Sequence, residues 1–490
     1  MFIQSINLTA CRRRKLCAKF FVSLCVPLFY PSTNQMKNII ILCVIVLCHL
    51  SGQAQYYLEH INVVDVEHGK VTANQSVYIE GHHIRSISSS PAKNPKMRAY
   101  DCTGKYLTPG LWDMHIHDAG DDSSNRHEYV PLFLANGVTG IRDMWGSDEM
   151  LKLKADIGAG RFTGPRIIVG SPIVDGGKPF FGTSLRASTA AGGRQLVDSL
   201  HAAGYDFIKI YSLLREPVYL AIADECKQKG IPMEGHLPAE VGFEEAVNAG
   251  QRSIEHNFNV NRYLIGKEAG YVKWSHHYLD TVKSLKDGQF MVRNEPLGVS
   301  EKDFRLPDAV LNKMIANRVA IVPTLTLAQG RSMPYDTMIK YTKGTEYLSL
   351  DFVNYWKRQP PVLPPDLVKT FGAAAHFFMN KGVLILAGTD VNNPFCVPGF
   401  GLQQELVNLH KAGLTNLQVL QTATLNPAKF LYKEKQLGTV TAGKLADLLV
   451  LDGNPLVEIS YTQKINAVIV NGKYLSKTEL KRMLDAQRKR

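Results

Sequence analysis

Six side chains of kinds that bind cations or move protons stand at the ends of short apolar runs. They are His115 and His117 in GLWDMHIH, Lys209 in FIKIY, His236 in PMEGH, His256 in SIEH and Asp390 in LILAGTD. Four imidazoles, a carboxylate and an amine, offered in order from successive strand ends, suit two divalent metal ions inside an α/β barrel. His115 and His117 are two apart on a strand, so their side chains share a face. Fifteen histidines in 490 residues would give roughly half of one such pair by accident. The context adds weight: the turn Pro109-Gly110 and an apolar run lead into the pair, as a metal-bearing first strand requires.

Each of the other positions has a plainer reading beside the chemical one. Lys209 lies in a run that reads as buried strand, and a buried amine is costly unless it is paired or neutral. A salt bridge to Asp206 or Asp143 would meet that need. So would uptake of carbon dioxide to give a carbamate, an anionic oxygen ligand bridging two metals. His236 and His256 could each be satisfied core histidines, but they end neighbouring strands, and neutral imidazole is the commonest zinc ligand. Asp390 would bind metal and act as the base that takes a proton from the attacking water and passes it to the leaving nitrogen. Its plainer role is a helix N-cap or a turn residue after Thr389. Tyr211, on the same face as Lys209, and Arg142, at the end of the second strand, could orient a substrate oxygen or carboxylate, or be a core tyrosine and a structural ion pair. The chain has no GxSxG, P-loop, HExxH or dinucleotide fingerprint.

The elements that would position these residues follow from the pattern. From Pro109, apolar runs at 110–117, 138–144, 166–171, 207–211, 232–236, 253–256, 320–326 and 383–390 alternate with helical segments such as GRQLVDSLHAAG and VYLAIADECKQKG. Eight strands, each with a helical return, predict a (β/α)8 TIM barrel over residues 109–433. Short alternating strands fill residues 55–108, and β-type sequence returns at 434–475 after the helical stretch LQVLQTATLNPAKFL. The two ends are expected to pair into one small β-sandwich domain, followed by a basic helical tail at 476–490. The long connections 256–320 and 326–383 are expected to shape a substrate pocket.

Residues 1–54 read as a leader. MKNIIILCVIVLCHLSGQAQ, starting at Met36, has one lysine, a twelve-residue apolar core and small residues before a cut after Ala54, which matches a signal peptide; translation is expected to start at Met36. The expected location is therefore exported, periplasmic or secreted, with membrane contact only through an uncleaved leader. The leader carries six of the basic residues and no acidic ones, so the formal charge of +12 falls to 50 basic against 44 acidic side chains beyond it. That balance, and a solvated basic tail, exclude nucleic acid as an expected partner. Only Cys102, Cys226 and Cys396 lie beyond the leader, too few and too far apart for a disulfide framework.

The chain resembles the amidohydrolase superfamily, in its imidazolonepropionase-like and prolidase-like branch. TPGLWDMHIH, GVTGIRDM, DFIKIYS, GHLP, SIEH, LAGTD, NPAKFL and LGTVTAGKLADLLVLDGNP carry the resemblance. It implies that His115, His117, Lys209, His236, His256 and Asp390 bind two metals, usually zinc, with Lys209 carboxylated. Xaa-Pro-cleaving members commonly carry Ser-Gly-Gly soon after the lysine, whereas Lys209 here is followed by IYSLLREP. The expected activity is hydrolysis of an amide or related C–N bond in a small molecule such as a dipeptide, an N-acyl amino acid or a cyclic amide, by a protein that can form homo-oligomers. An esterase or lactonase on the same metals is the chemical alternative, a single-metal deaminase a more distant one, and a non-catalytic binding protein on a decayed barrel the alternative of another class.

Overall fold

The computed structural model describes residues 55–90, 94, 96–117, 126–179, 181–281 and 297–489. The expected leader lies outside them. On the N-terminal side are β1 (Gln55–Asp65), β2 (Lys70–Glu80), β3 (His83–Ser88), β4 (Arg98–Asp101) and β5 (Tyr106–Pro109). Then come β6 (Leu111–Ile116), β7 (Val138–Asp143), β8 (Arg166–Val169), β9 (Val174–Asp175), β10 (Leu185–Arg186), β11 (Ile208–Ile210), β12 (Met233–Gly235), β13 (Ser253–Glu255), β14 (Ala320–Val322) and β15 (Leu384–Ile385). The C-terminal strands are β16 (Leu448–Leu451), β17 (Ile465–Val470) and β18 (Lys473–Ser476).

The protein is α/β. Strands β6, β7 and β8 form one parallel sheet, and β10, β9 and β11 to β15 form a second in that order. Parallel bridges Gly170↔Phe207, after β8 and before β11, and Ile116↔Val391, in β6 and after β15, link the two sheets. The eight apolar runs are all strands, and every residue of β6 and β7 is buried, as expected when both faces of a parallel sheet are covered. Gly388 lets the chain after β15 pass close to β6 and β14. A Cβ there would stand 2.7 Å from the Cβ of His115 and 2.8 Å from Val322 Cγ1.

The two ends of the chain do pair, but not as a sandwich of two facing sheets. They form one sheet in the order β18-β17-β16-β5-β1-β2-β3, with β4 added parallel to β1. The junction is antiparallel β5 on β16, with Leu107 opposite Val450. The sheet curls until its far edge returns to the chain before β16, where Ile84 N donates to Lys444 O at 2.9 Å and Ala446 N to His82 O at 2.8 Å. Strand twist and curl bring Leu58, Ile61, Val77, Ile79, Leu448, Val450 and Ile469 into one apolar core.

The helix expected at LQVLQTATLNPAKFL is two, Asn416–Thr422 and Leu425–Phe430. The carbonyls of Thr422 and Ala423 accept instead from Ala387 N and Trp112 N, at the ends of the parallel strands. Ala423 has no helical alternative, because its i+4 partner is Pro427, which lacks an N–H. The tail is a helix, Lys477–Gln487, with a Ser476/Glu479 capping box and Leu480 buried. The remaining cysteines, Cys102, Cys226 and Cys396, are free and buried. Among the described residues no helix is long and apolar enough to cross a membrane.

Candidate metal centre

Five strand ends deliver the polar groups to one buried place. His115 and His117 leave β6, and their Nε2 atoms are 3.2 Å apart. Asp390 Oδ1, arriving after β15, lies 2.8 Å from His117 Nε2 and 3.3 Å from His115 Nε2. His256, after β13, brings Nε2 to 4.0 Å from Asp390 Oδ2, and one ligand atom from each of His115, His256 and Asp390 lies within 4.8 Å of the others. His236, after β12, stands with its ring 4.7 Å from that of His256. Lys209 on β11 is fully buried, within electrostatic reach of Glu255 and Asp390, and its Nζ has no hydrogen-bond partner.

The outer faces of three rings are fixed. His115 Nδ1 meets Glu255 Oε2 at 2.7 Å, His236 Nδ1 meets Ser212 Oγ at 2.8 Å, and His256 Nδ1 meets Thr324 Oγ1 at 2.8 Å. Each contact leaves Nε2 for the interior, the arrangement that outer partners give to metal-binding histidines. Burial lowers His117 to about 4 and His256 to about 3 despite the pull of Asp390, and takes His236 well below its ordinary value. The rings are therefore neutral ligands near pH 7. Burial alone would push the Asp390 carboxyl up. The imidazoles of His115, His256 and His117 outweigh it and hold the group well below the usual range. Burial brings the Lys209 amine down to about 8. Several imidazole nitrogens gathered around one carboxylate, the outer nitrogens of three rings already engaged, are the donors a divalent metal takes, so this set fits such an ion.

The backbone is bent to make this cluster. His256, Thr324 and Asp390 have φ of 68°, 46° and 62°, in the left-handed region that side-chain-bearing residues rarely occupy. Such residues cost of order 1–3 kcal/mol each and gather at functional sites. Glu405, on the helix Phe400–Lys411, accepts from Leu325 N, Thr326 N and Thr326 Oγ1 and so pins the turn that carries Thr324.

The structure also decides between the sequence readings. Asp206 takes Lys154 at 2.6 Å, so it is not the partner of Lys209. Asp390 opens no helix; its N–H donates to His115 O at 2.7 Å and a bridge at Val391 follows. Arg142 does not reach toward a substrate. It is fully buried, and it donates to Met114 O, Glu234 Oε2, Ser253 Oγ and Glu255 Oε1. Its task is to hold Glu255, and through it His115. Tyr211 stays at the site, its ring 3.9 Å from that of His236. Glu234, Glu255, Ser212, Thr324 and Glu405 were not singled out by sequence reasoning. The available clue was a glutamate inside each of the apolar runs PMEGH and SIEH, where an ionised side chain needs a partner.

Known proteins bear on this geometry. Over 448 residues the chain is 24% identical to a 5-methylthioadenosine/S-adenosylhomocysteine deaminase of Thermoanaerobacter pseudethanolicus, covering 85% of this chain and 92% of that protein. Among solved structures, a bottromycin amidohydrolase superposes with a TM-score of 0.66 at 21% identity, over 89% of this chain and 91% of the other. A Xaa-Pro dipeptidase with bound methionine in its active site superposes with a TM-score of 0.62 at 20% identity, over 86% and 100%. At those identities the likeness is one of fold. Residues 106–475, which run from β5 to β18 and include every strand end described above, match the amidohydrolase family. The chain therefore belongs to the amidohydrolase family, a hydrolase of carbon–nitrogen bonds.

Proposed function

We propose that the protein is a two-metal amidohydrolase that cleaves an amide or related C–N bond in a small molecule, on eight parallel strands closed into a (β/α)8 barrel. The bridges Gly170↔Phe207 and Ile116↔Val391 support the closure. In this reading His115, His117, Lys209 as its carbamate, His236, His256 and Asp390 hold two divalent ions, zinc by the chemistry of the donors. When bound, the ions make water a nucleophile near neutral pH and polarise the substrate carbonyl. Asp390, kept ionised by its neighbours, takes the proton that water loses and returns it to the leaving nitrogen. An amide and one water thus become an acid and an amine. Glu255, held by Arg142, keeps His115 in the tautomer whose Nε2 faces inward.

The observation that carries the reading is the convergence of inward Nε2 atoms on Asp390 beside a buried amine without a partner. The test is metal analysis of the purified chain together with a screen of N-acyl amino acids, dipeptides, cyclic amides and lactones. Close to two equivalents of metal and turnover of an amide are expected, with Lys209→Ala losing most of the metal. Well under one equivalent, with no turnover, would leave a binding protein. Export through the leader belongs to the same reading, and N-terminal sequencing of secreted or periplasmic material should begin at Gln55.

A further inference from the structure

Aromatic side chains that bind no metal in the proposed centre surround it on one flank. Trp145 follows β7 and stands edge-on to His117, ring centres 5.8 Å apart and planes at 89°. Phe181 lies 5.0 Å from Trp145, and Tyr211 5.7 Å from Phe181. Tyr211 closes the arc on His236 at 3.9 Å. The rings come from three separate strand ends or connections and run unbroken from a ligand of the first strand to a ligand of the fifth. Trp145, Phe181 and Tyr211 all remain partly exposed, so ring surface is available beside the centre. On the far side Phe258 adds a ring 6.1 Å from His256. Arg142, the guanidinium behind His115, is already committed to Glu234 and Glu255.

We infer that the arc Trp145–Phe181–Tyr211 selects substrates carrying an uncharged aromatic or bulky apolar group next to the scissile C–N bond. Rings gathered and partly exposed beside the centre offer apolar surface whose burial against a ligand is favourable, while a charged group placed there would bear the cost of desolvation. The inference rests on the hydrolase reading above, and binding tests it separately from turnover.

The full-length metal-loaded protein is assayed on N-benzoylglycine and N-acetylphenylalanine against N-acetylglycine, in the wild type, Trp145→Ala, Phe181→Ala and the conservative Trp145→Phe. In parallel, 3-phenylpropan-1-ol, which has no C–N bond to cleave, is titrated into the metal-free protein and followed by saturation-transfer NMR. We expect at least one aryl amide to exceed N-acetylglycine in kcat/KM. Each alanine variant should lower that preference about tenfold and weaken the alcohol to a similar degree, with metal content unchanged and Trp145→Phe restoring most of the loss. Turnover of N-acetylglycine without aryl preference, or preference and alcohol binding that persist in both alanine variants, overturns the inference and leaves the hydrolase reading standing. Alcohol binding that the variants abolish, with no amide turned over, supports the arc and counts against the hydrolase reading.

Discussion

The ends of β6, β11, β12, β13 and β15 and the interior of the curled sheet are buried to the same degree and built on opposite rules. Inside the curled sheet the side chains are apolar and the few polar atoms are matched, Tyr56 Oη to Gly472 O at 3.0 Å and Ser76 Oγ to Glu59 at 2.8 Å. At the strand ends Lys209 Nζ and His117 Nδ1 are buried with no hydrogen-bond partner, and three residues are held at positive φ. Unsatisfied buried groups and strained backbone lower stability, and they persist where the surrounding structure over-determines them. The curled sheet and the packed strands supply that surplus, and the strand ends draw on it. Stability and chemistry should therefore respond to different substitutions.

The sharpest break between the two regions is expected from Asp390→Asn, which keeps most of the carboxylate's shape and loses the proton acceptor. Turnover should fall about 10³- to 10⁴-fold while metal analysis still finds bound ions. Full activity in that variant would remove the proposed proton shuttle. In the curled sheet, Leu448→Ala should cost ~2–5 kcal/mol in denaturant unfolding, with kcat per folded molecule unchanged. A matching fall in kcat would mean that the sheet governs the site after all.

Smaller effects sharpen the same contrast. Glu255→Gln removes the charge behind His115 and should weaken metal binding about 10- to 100-fold in a chelator competition. Lys209→Met, like Lys209→Ala, should lose most of the bound metal, yet raise the Tm of the metal-free protein, since it replaces a buried amine that has no hydrogen-bond partner. An unchanged or lower Tm would argue that this amine carries no burial penalty. The metal-free protein should also lose stability as pH falls from about 6.5 through 4. Across that window the unfolded chain protonates His117 and His256 at the ordinary 6.5, while in the fold they stay neutral down to about 4 and about 3. The unfolded state then binds more protons, so stability rises with pH there, and urea midpoints at pH 5 and pH 7 measure it. Zinc-loaded protein should show the loss steepened by competition between protons and metal.

Much of the site was legible because a polar residue within or ending an apolar run is a local pattern, and His115, His117, Lys209, His236, His256 and Asp390 all have one of those forms. Their supporting residues lacked it. Glu255 sits beside His256, and strict strand alternation would point the two to opposite faces. The left-handed φ of 68° at His256 breaks the alternation, so both serve the same interior, Glu255 toward His115 and Arg142 and His256 toward Asp390. Arg142 itself reads from sequence as a cation near the mouth of the strands, and it turns inward because Glu234 and Glu255 wait on strands far along the chain.

Hydrophobic periodicity and the residues in or after each run were enough to mark eight of the parallel strands, though not β9 and β10, and to single out polar groups that the fold brings together, because those depend on neighbours within a few residues. Three things were left to the tertiary structure: the closing of two chain ends into one curled sheet rather than a sandwich, the splitting of a helix at Ala423, and the orientation of each imidazole by Glu255, Ser212 or Thr324. Each depends on a hydrogen bond between groups distant in sequence, and of the three only the helix break had a local sign, the missing N–H of Pro427.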